Sequence, residues 1–500
     1  MATCNDQITT ADTGGVELRY VIEDCWGEDM ASGKLKKMRF TSESLGVDRD
    51  TVVSDEINSD RQISDLIPTN FSASGDINCE LSRSTYDDFI ASALGGQWDE
   101  LYEMRDSHSV ANVSVNTAKR LVYPVTDVPS VAVGDVITTS GFDEAVNNGT
   151  FKVSLVSTQY VTVQPLSGGT DSPLVEEAGS ATKEITTKIS SLPGVSIWSK
   201  DSGYLIYTSE TVRDGANLLV GNLVKLYNFA TDANNVNVLV TAPALDGTSY
   251  GHTILHHSEL SGESNVRVGF LGSRITNGGD EISFYIEKEF TDIADGSTKR
   301  ILSYSGMMVD RMSISVEAEA KTTVAFSFMG KTGATRTSTL LDDPEEATTT
   351  DVLTSTAKGA TYISWEDSAG DTQSIDDAVI RSLTLDVANN LRNKTAIGTL
   401  GSIDVGQGRF SATGTFSMYL RDFNLYERYL SNDSFAIMFT IGDMDNDDCY
   451  GFYMPRVKIT NSSIVAGGPD QDVMVDIGYQ ALRGDTDDAD RTLYISKVDA

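Results

Sequence analysis

Phe71-Ser72-Ala73-Ser74-Gly75, followed by Ile77 and Leu81, is matched by Phe410-Ser411-Ala412-Thr413-Gly414, followed by Phe416 and Leu420, at a constant offset of 410 − 71 = 339. Each stretch sets apolar against small polar residues at a period of two, the pattern of a half-buried strand. The surroundings keep step. Ser84 and Asp87 make a capping-box-like start to a helix over 84–94, where Tyr86, Phe89, Ile90 and Leu94 recur at helical spacing. After one inserted residue, Tyr86-Asp87-Asp88-Phe89-Ile90 aligns with Tyr426-Glu427-Arg428-Tyr429-Leu430, in a second helix over about 424–431. Upstream, Met38-Arg39-Phe40-Thr41 aligns with Ile380-Arg381-Ser382-Leu383. Downstream, 324–330 aligns with 473–479. The chain therefore reads as a duplicated β domain, and further strands are expected at 17–23, 37–42, 70–81, 282–290, 324–328, 410–420 and 473–479.

The copies differ by an insertion at roughly 106–280 in the first. Within it, Val133-Gly134-Asp135-Val136, Phe142 and Asn147-Asn148 recur as Val220-Gly221-Asn222-Leu223, Phe229 and Asn234-Asn235, offset by 220 − 133 = 87. The Asn pairs mark strand reversals, where Gly149 permits positive φ. The expected domains are 1–105 with 281–338, two inserted small β modules at 106–190 and 191–280, and 339–500. An insertion at a surface connection disturbs the parent core least, which puts the modules on the outside.

Composition narrows the function. The 500 residues hold 38 basic and 73 acidic side chains, a net charge of −35, with 40% hydrophobic residues. Phosphate binding needs a basic face, so a nucleic-acid grip is excluded as the main task of the surface. The apolar content suffices for cores and argues against disorder. No apolar run approaches membrane-spanning length and the N-terminus has neither a basic start nor an apolar stretch, so a soluble protein made in a cytoplasm is expected. Cys4, Cys25, Cys79 and Cys449 lie far apart, so free and mostly buried thiols are expected rather than a zinc site or disulfide framework.

The chain resembles the tail tube (major tail) proteins of long-tailed bacteriophages. The likeness is carried by the two FSA(S/T)G strands with their Tyr-rich helices, by Val133-Gly134-Asp135-Val136 to 147–153, by 284–290 and by Phe326-Ser327-Phe328-Met329-Gly330-Lys331. In the second copy, 386–392 and 470–474 add to it. The resemblance implies mainly-β sandwiches, each flanked by a helix, whose sheets pair around a pore. Rings stack into a tube around a tape-measure protein and later pass double-stranded DNA, with tail terminator and distal tail proteins as further partners. Neither a cofactor nor membrane binding is implied. If the usual ring has six equivalent domains, a chain with two needs three subunits, a homotrimer with pseudo-sixfold symmetry. The fused double domain favours a non-contractile tail in the virion. A bore with acidic walls would repel passing DNA and keep it moving.

Two long polar loops precede the FSA(S/T)G strands, at about 48–69 and 386–408. The first holds Asp55, Glu56, Asp60, Arg61 and Asp65, and the second Arg392, Lys394 and Asp404, with Arg409 just beyond. Loops of that length in a compact domain are usually functional or disordered. These residues are the candidates for inter-subunit and inter-ring contact, with opposite charge bias fixing register.

Motifs for chemistry are weak. Gly247-Thr248-Ser249-Tyr250-Gly251 has the GxSxG spelling, but a nucleophile elbow needs a helix after the serine and Thr253-Ile254-Leu255 reads as a strand. His252 and His256 would lie about 13 Å apart on one strand face and His257 on the other, too far for one ion. Asp443, Asp445, Asp447 and Asp448 lack the glycine and glutamate of a calcium loop, so a hairpin is expected, with no metal site. Gly330-Lys331-Thr332 lacks the first glycine of a phosphate loop, and Arg483-Gly484-Asp485 is a turn tripeptide. The chain is read as a structural protein and not an enzyme. A head-decoration protein, a tail fibre with adhesive modules and a hydrolase acting through Ser249 are the alternatives.

Overall fold

The structure is a computed structural model that describes residues 10–28, 30, 32–57, 62–100, 106–165, 171–189, 191–198, 204–207, 220–227, 229–246, 249–255, 260–293, 298–341, 344–355, 359–366, 372–376, 379–445, 448–465, 468, 472–485 and 490–498. It is mainly β, and the repeated strands are Leu66–Glu80 and Ser411–Tyr419. The first pairs antiparallel with Thr323–Gly330, the second with Met474–Leu482. Gly75 faces Phe328 as Gly414 faces Tyr479, so the partner strands correspond at 479 − 328 = 151. The glycine of each repeat has a packing reason. A Cβ at Gly75 would lie 2.5 Å from the Ser44 carbonyl oxygen, and one at Gly414 would lie 2.0 Å from that of Thr384.

The next strands out are Ile301–Glu317 and Asp448–Val465. The first shifts register twice: at Phe284/Ile286 of its neighbour Phe284–Phe290, and between Val309 and Arg311. The second does the same at Phe435/Ile437 of Phe435–Asp443, and between Ile459 and Asn461. A bulge adds one residue that no hydrophobic pattern requires, so two shared bulges identify the copies as one fold.

Two of the sequence alignments slip by two residues. Ser42 faces Asn78 as Ser382 faces Ser417, so Leu383 corresponds to Glu43 rather than Thr41. Likewise Val324 corresponds to Val475 and not Val473. A slip of two leaves each side chain on its correct face, which is why the patterns still matched. The strand expected at 37–42 is instead two short pairings, Lys36–Lys37 and Ser42–Glu43.

Both helices form, α1 at Asp87–Leu94 and α2 at Asn424–Ser431, each closed by a left-handed residue, Gly95 or Asn432. The capping box does not form. Ser84 has φ 58° and Tyr86 occupies the N-cap without a side-chain bond, while the Asp87 carboxylate accepts from the Tyr450 hydroxyl and the Lys497 ammonium, both at 2.7 Å.

The copies share one sheet. Ile301–Glu317 pairs with Ile380–Ala388 of the second copy, from Arg311 opposite Ala388 to Glu317 opposite Ser382. Met312, Ile314, Leu385 and Val387 are buried beneath this joint in a core common to both copies.

The first insertion is a seven-stranded sheet from Asp106–Ala111 to Glu184–Ile189. The second is a closed six-stranded barrel from Ser191–Trp198 to Glu263–Leu271. Ser273–Thr276, assigned to the second module from sequence, pairs with Asp99–Glu100 and Tyr494–Lys497 in the large sheet, so the barrel ends at Leu271. The barrel packs Leu223 and Leu239 against Tyr453 and Tyr494 of the second copy, and the Leu223 N–H donates to Ser496 Oγ at 2.9 Å.

The small repeat holds in detail. Phe142 N–H donates to Asn148 Oδ1 and Phe229 N–H to Asn235 Oδ1, both at 2.8 Å. Gly134 (φ 92°) and Gly221 (φ 86°) supply the left-handed turns, and Gly149 does not, because it already begins the strand Gly149–Val156. Sequence comparison missed one member of each set, Glu177 and Glu263. Glu177 accepts from the Asp143 and Glu144 N–H groups and Asn147, as Glu263 does from Ala230, Thr231 and Asn234. Burial works against ionisation of Glu263, but these donors outweigh it and hold the carboxyl below its ordinary range. The depressed folded value stabilises the barrel above the ordinary glutamate range, and that stabilisation is lost as pH falls through the folded value. Glu263→Ala leaves two backbone donors without their acceptor, costing about 1–3 kcal/mol. A calorimetric scan at pH 7 is expected to show an earlier barrel transition in the variant, with the difference shrinking in acid.

Candidate assembly surfaces

Among the open edges of the shared sheet in the described residues, two mirror the joint between the copies. The segment 458–465 pairs on one side with Met474–Leu482 and has no strand on the other. Ser42–Glu43 and Gly46–Val53 pair only with Leu66–Glu80. Each open edge is the counterpart of one half of the internal joint. Residues 311–315 correspond to 461–465 at 461 − 311 = 150, the bulge included, and 382–388 correspond to 42–48 at 382 − 42 = 340. Val47 and Asp48 are exposed and Ile464 half-buried, where Val387 and Ile314 are buried. Unblunted edges invite pairing with another chain.

The two long loops turn out to be hairpin arms. Gly46–Val53 pairs with the start of Leu66–Glu80, and Arg392–Thr395 pairs with Ser402–Gly406. Their tips carry much of the exposed apolar surface: Ile57 (101% exposed), Ile63 and Leu66 on the first, Ile397 (108%) and Leu400 on the second. A Cβ at Gly401 would lie 2.7 Å from the Phe71 carbonyl oxygen, so the second arm lies beside the base of the first.

Of the candidate contact residues, Asp55, Glu56 and Asp65 lie exposed on the first arm, whereas Asp60 and Arg61 fall outside the described residues. Lys394 and Asp404 pair with each other across the second hairpin, and the Lys394 ammonium holds the Asp404 carboxyl below its ordinary range. Arg392 donates to the Gln407 carbonyl at 3.3 Å, and the Arg409 carbonyl accepts from Asn390 at 2.8 Å. The second arm therefore neutralises part of its own charge.

The sheet face away from the core is hydroxyl-rich. Thr384 and Thr415 bond across the ladder at 3.0 Å, with Ser313, Ser315, Thr413 and Ser417 on the same face. Asp76, Glu80, Glu317, Asp386 and Asp476 share that face with the cations Arg311, Arg456 and Lys458.

The motifs for chemistry resolve into hairpins. Asp246 pairs with Ser249 at the turn between Asn237–Asp246 and Ser249–Leu255, so a strand and no helix follows the serine. His252 lies in that strand, whereas His256 and His257 fall outside the described residues. Asp443 pairs with Asp448 across a hairpin, and Thr332–Arg336 after Lys331 is a strand. The Arg483 guanidinium donates to the Asp490 carbonyl at 3.1 Å, closing a tail turn. Cys79 and Cys449 are buried and Cys25 is exposed, and none of the three is in a disulfide, while Cys4 lies outside the described residues. No helix among the described residues is long and apolar enough to cross a membrane, and no described group of three or more His, Cys, Asp or Glu side chains could hold a metal ion.

A duplicated strand-rich body with two complementary open edges, apolar-tipped arms and hairpins in place of reactive motifs defines a class, the structural subunit that works by assembling with its own kind. The chain belongs to the phage tail tube proteins: the sequence model of the family described as phage tail tube protein matches residues 14–481, nearly the whole length. No curated protein matches it. The family is structural rather than enzymatic, and it makes the protein a component of the virion tail that self-assembles into a tube and associates with other tail proteins.

Proposed function

We propose that three chains close head to tail into a ring through the two open edges, and that rings stack through the hairpin arms into the tube through which the genome leaves. One observation carries this reading: each open edge is the counterpart of one half of a joint the chain already makes inside itself. Carrying the internal register across gives the contact between subunits, with Asn461 opposite Asp48, Ser462 opposite Val47, Ser463 opposite Gly46 and Ile464 opposite Leu45. A heterologous interface of this kind builds a ring when its rotation closes. With two domains per chain, three subunits supply six positions around the pore.

In such a ring the hydroxyl-rich face lines the bore. DNA carries one charge per roughly 1.7 Å of axis, so a wall of Ser and Thr with acids in excess offers it little to bind. The tape-measure protein occupies that bore before ejection, and the tail terminator and distal tail proteins cap its ends. The arms meet the next ring through their apolar tips, with Asp55, Glu56, Asp60, Arg61 and Asp65 against Arg392, Lys394, Asp404 and Arg409 setting the rotation. Assembly takes place in the host cytoplasm.

Opposed residues in antiparallel strands lie within disulfide reach. Tubes of Ser463→Cys/Gly46→Cys protein, oxidised and run on denaturing gels, are expected to give covalent species of up to three chains. A ladder continuing to six would overturn the trimeric ring.

A further inference from the structure

The linker between the two copies forms a strap across the first. Leu353 N–H donates to the Leu81 carbonyl at 2.8 Å, Thr322 N–H donates to the Leu353 carbonyl at 2.9 Å, and flanking bridges join Val352 to Ser82 and Thr354 to Lys321. Leu353, 2% exposed, belongs to the shared core.

The second copy has the same seat. Leu81 N–H donates to the Thr322 carbonyl at 3.0 Å, and Leu420 N–H donates to the Val473 carbonyl at 3.0 Å. Among the described residues, however, the Leu420 carbonyl and the Val473 N–H have no hydrogen-bond partner, and Phe423 nearby in sequence is 57% exposed.

The strap sequence Asp351-Val352-Leu353-Thr354-Ser355 precedes Thr361–Glu366, the strand that opens the second copy. The strand that opens the first copy is Val16–Ile22, since Val21 faces Tyr285 as Ser364 faces Ala436. Before it stands Asp6-Gln7-Ile8-Thr9-Thr10, which repeats the acid, the aliphatic residue two places on and the two hydroxyls after it. Ile8 is the one large aliphatic residue between Met1 and Val16.

We propose that residues 6–10 of one chain are the strap for the second copy of its neighbour, with Ile8 in the place of Leu353, Gln7 opposite Arg421 and Thr9 opposite Asp472. The proposal rests on the ring reading above. Inside the chain the strap before the second copy seats on the first, the copy that precedes it, and in the proposed ring the copy preceding the first belongs to the adjacent subunit. Every joint in the ring, internal or between chains, is then crossed twice, once by sheet pairing and once by a strap.

The test uses full-length tubes with Cys4 and Cys25 replaced by serine. Gln7→Cys/Arg421→Cys is expected to form an interchain disulfide, and Gln7→Cys/Ser82→Cys none, because the linker holds that seat. Ile8→Asp is expected to lower the yield of tubes at least tenfold with an unchanged monomer melting curve, and Ile8→Leu to restore it. Tubes that crosslink through Ser463→Cys/Gly46→Cys but not through Gln7→Cys/Arg421→Cys overturn the strap and leave the ring standing. Failure of both pairs overturns both.

Discussion

Ile464→Asp should give a folded chain that makes no tubes, whereas Ile314→Asp, its counterpart in the internal joint, should not fold. The two isoleucines occupy equivalent register positions. Ile314 is 1% exposed and fixed against Leu385 inside the chain, while Ile464, packed against the core at the open edge, is only half-buried. Burying an unpaired carboxylate costs several kcal/mol. Even 3 kcal/mol at each joint is about a 150-fold weaker contact, since 1.36 kcal/mol is tenfold. The critical concentration for assembly, followed by sedimentation, should therefore rise by at least about 100-fold, with circular dichroism unchanged. Wild-type assembly by Ile464→Asp would mean that the open edge is simply a solvated strand.

The second large effect is expected at the arms. Ile57→Asp combined with Ile63→Asp should leave rings intact and abolish their stacking, so that electron micrographs show isolated annuli. Fully burying an isoleucine is worth about 1.5–3 kcal/mol, and a ring of three chains presents each arm three times. Neither residue supports its own domain, because both stand exposed at the hairpin tip. Tubes of normal length from this variant would return the arms to the status of solvated hairpins.

The duplication was legible because its strongest signal, the FSA(S/T)G string, has a steric cause. Gly75 and Gly414 each lie under a neighbouring carbonyl that leaves no room for a Cβ, so the glycine recurs where more permissive positions have drifted. Elsewhere only the alternation of polar and apolar residues guided the alignment, and alternation is blind to a slip of two, as at Thr41 against Glu43. The arms were mistaken for loops for a related reason. Residues 46–53 extend beyond the core with both faces toward solvent, so their strand carries no apolar side to betray it. Ser84 failed as a cap because its backbone is left-handed and its N–H is taken by Tyr450, a residue 366 positions away. The open edges left no sequence signal, since a half-made joint differs from a complete one only in what lies beside it. Of the contact candidates, Asp55, Glu56 and Asp65 lie on the first hairpin arm and Arg392, Lys394 and Asp404 on the second, yet the Lys394–Asp404 pair within one hairpin could be seen only once the strands were folded together.

The measurement that bears most directly on ring closure is a reconstruction of isolated tubes by electron cryo-microscopy, at a resolution that separates the two copies by the inserted barrel. Three chains per ring, with 461–464 of one chain against 45–48 of the next, is the expected result. Six chains per ring, or three chains meeting through other surfaces while these edges stay open, would contradict it.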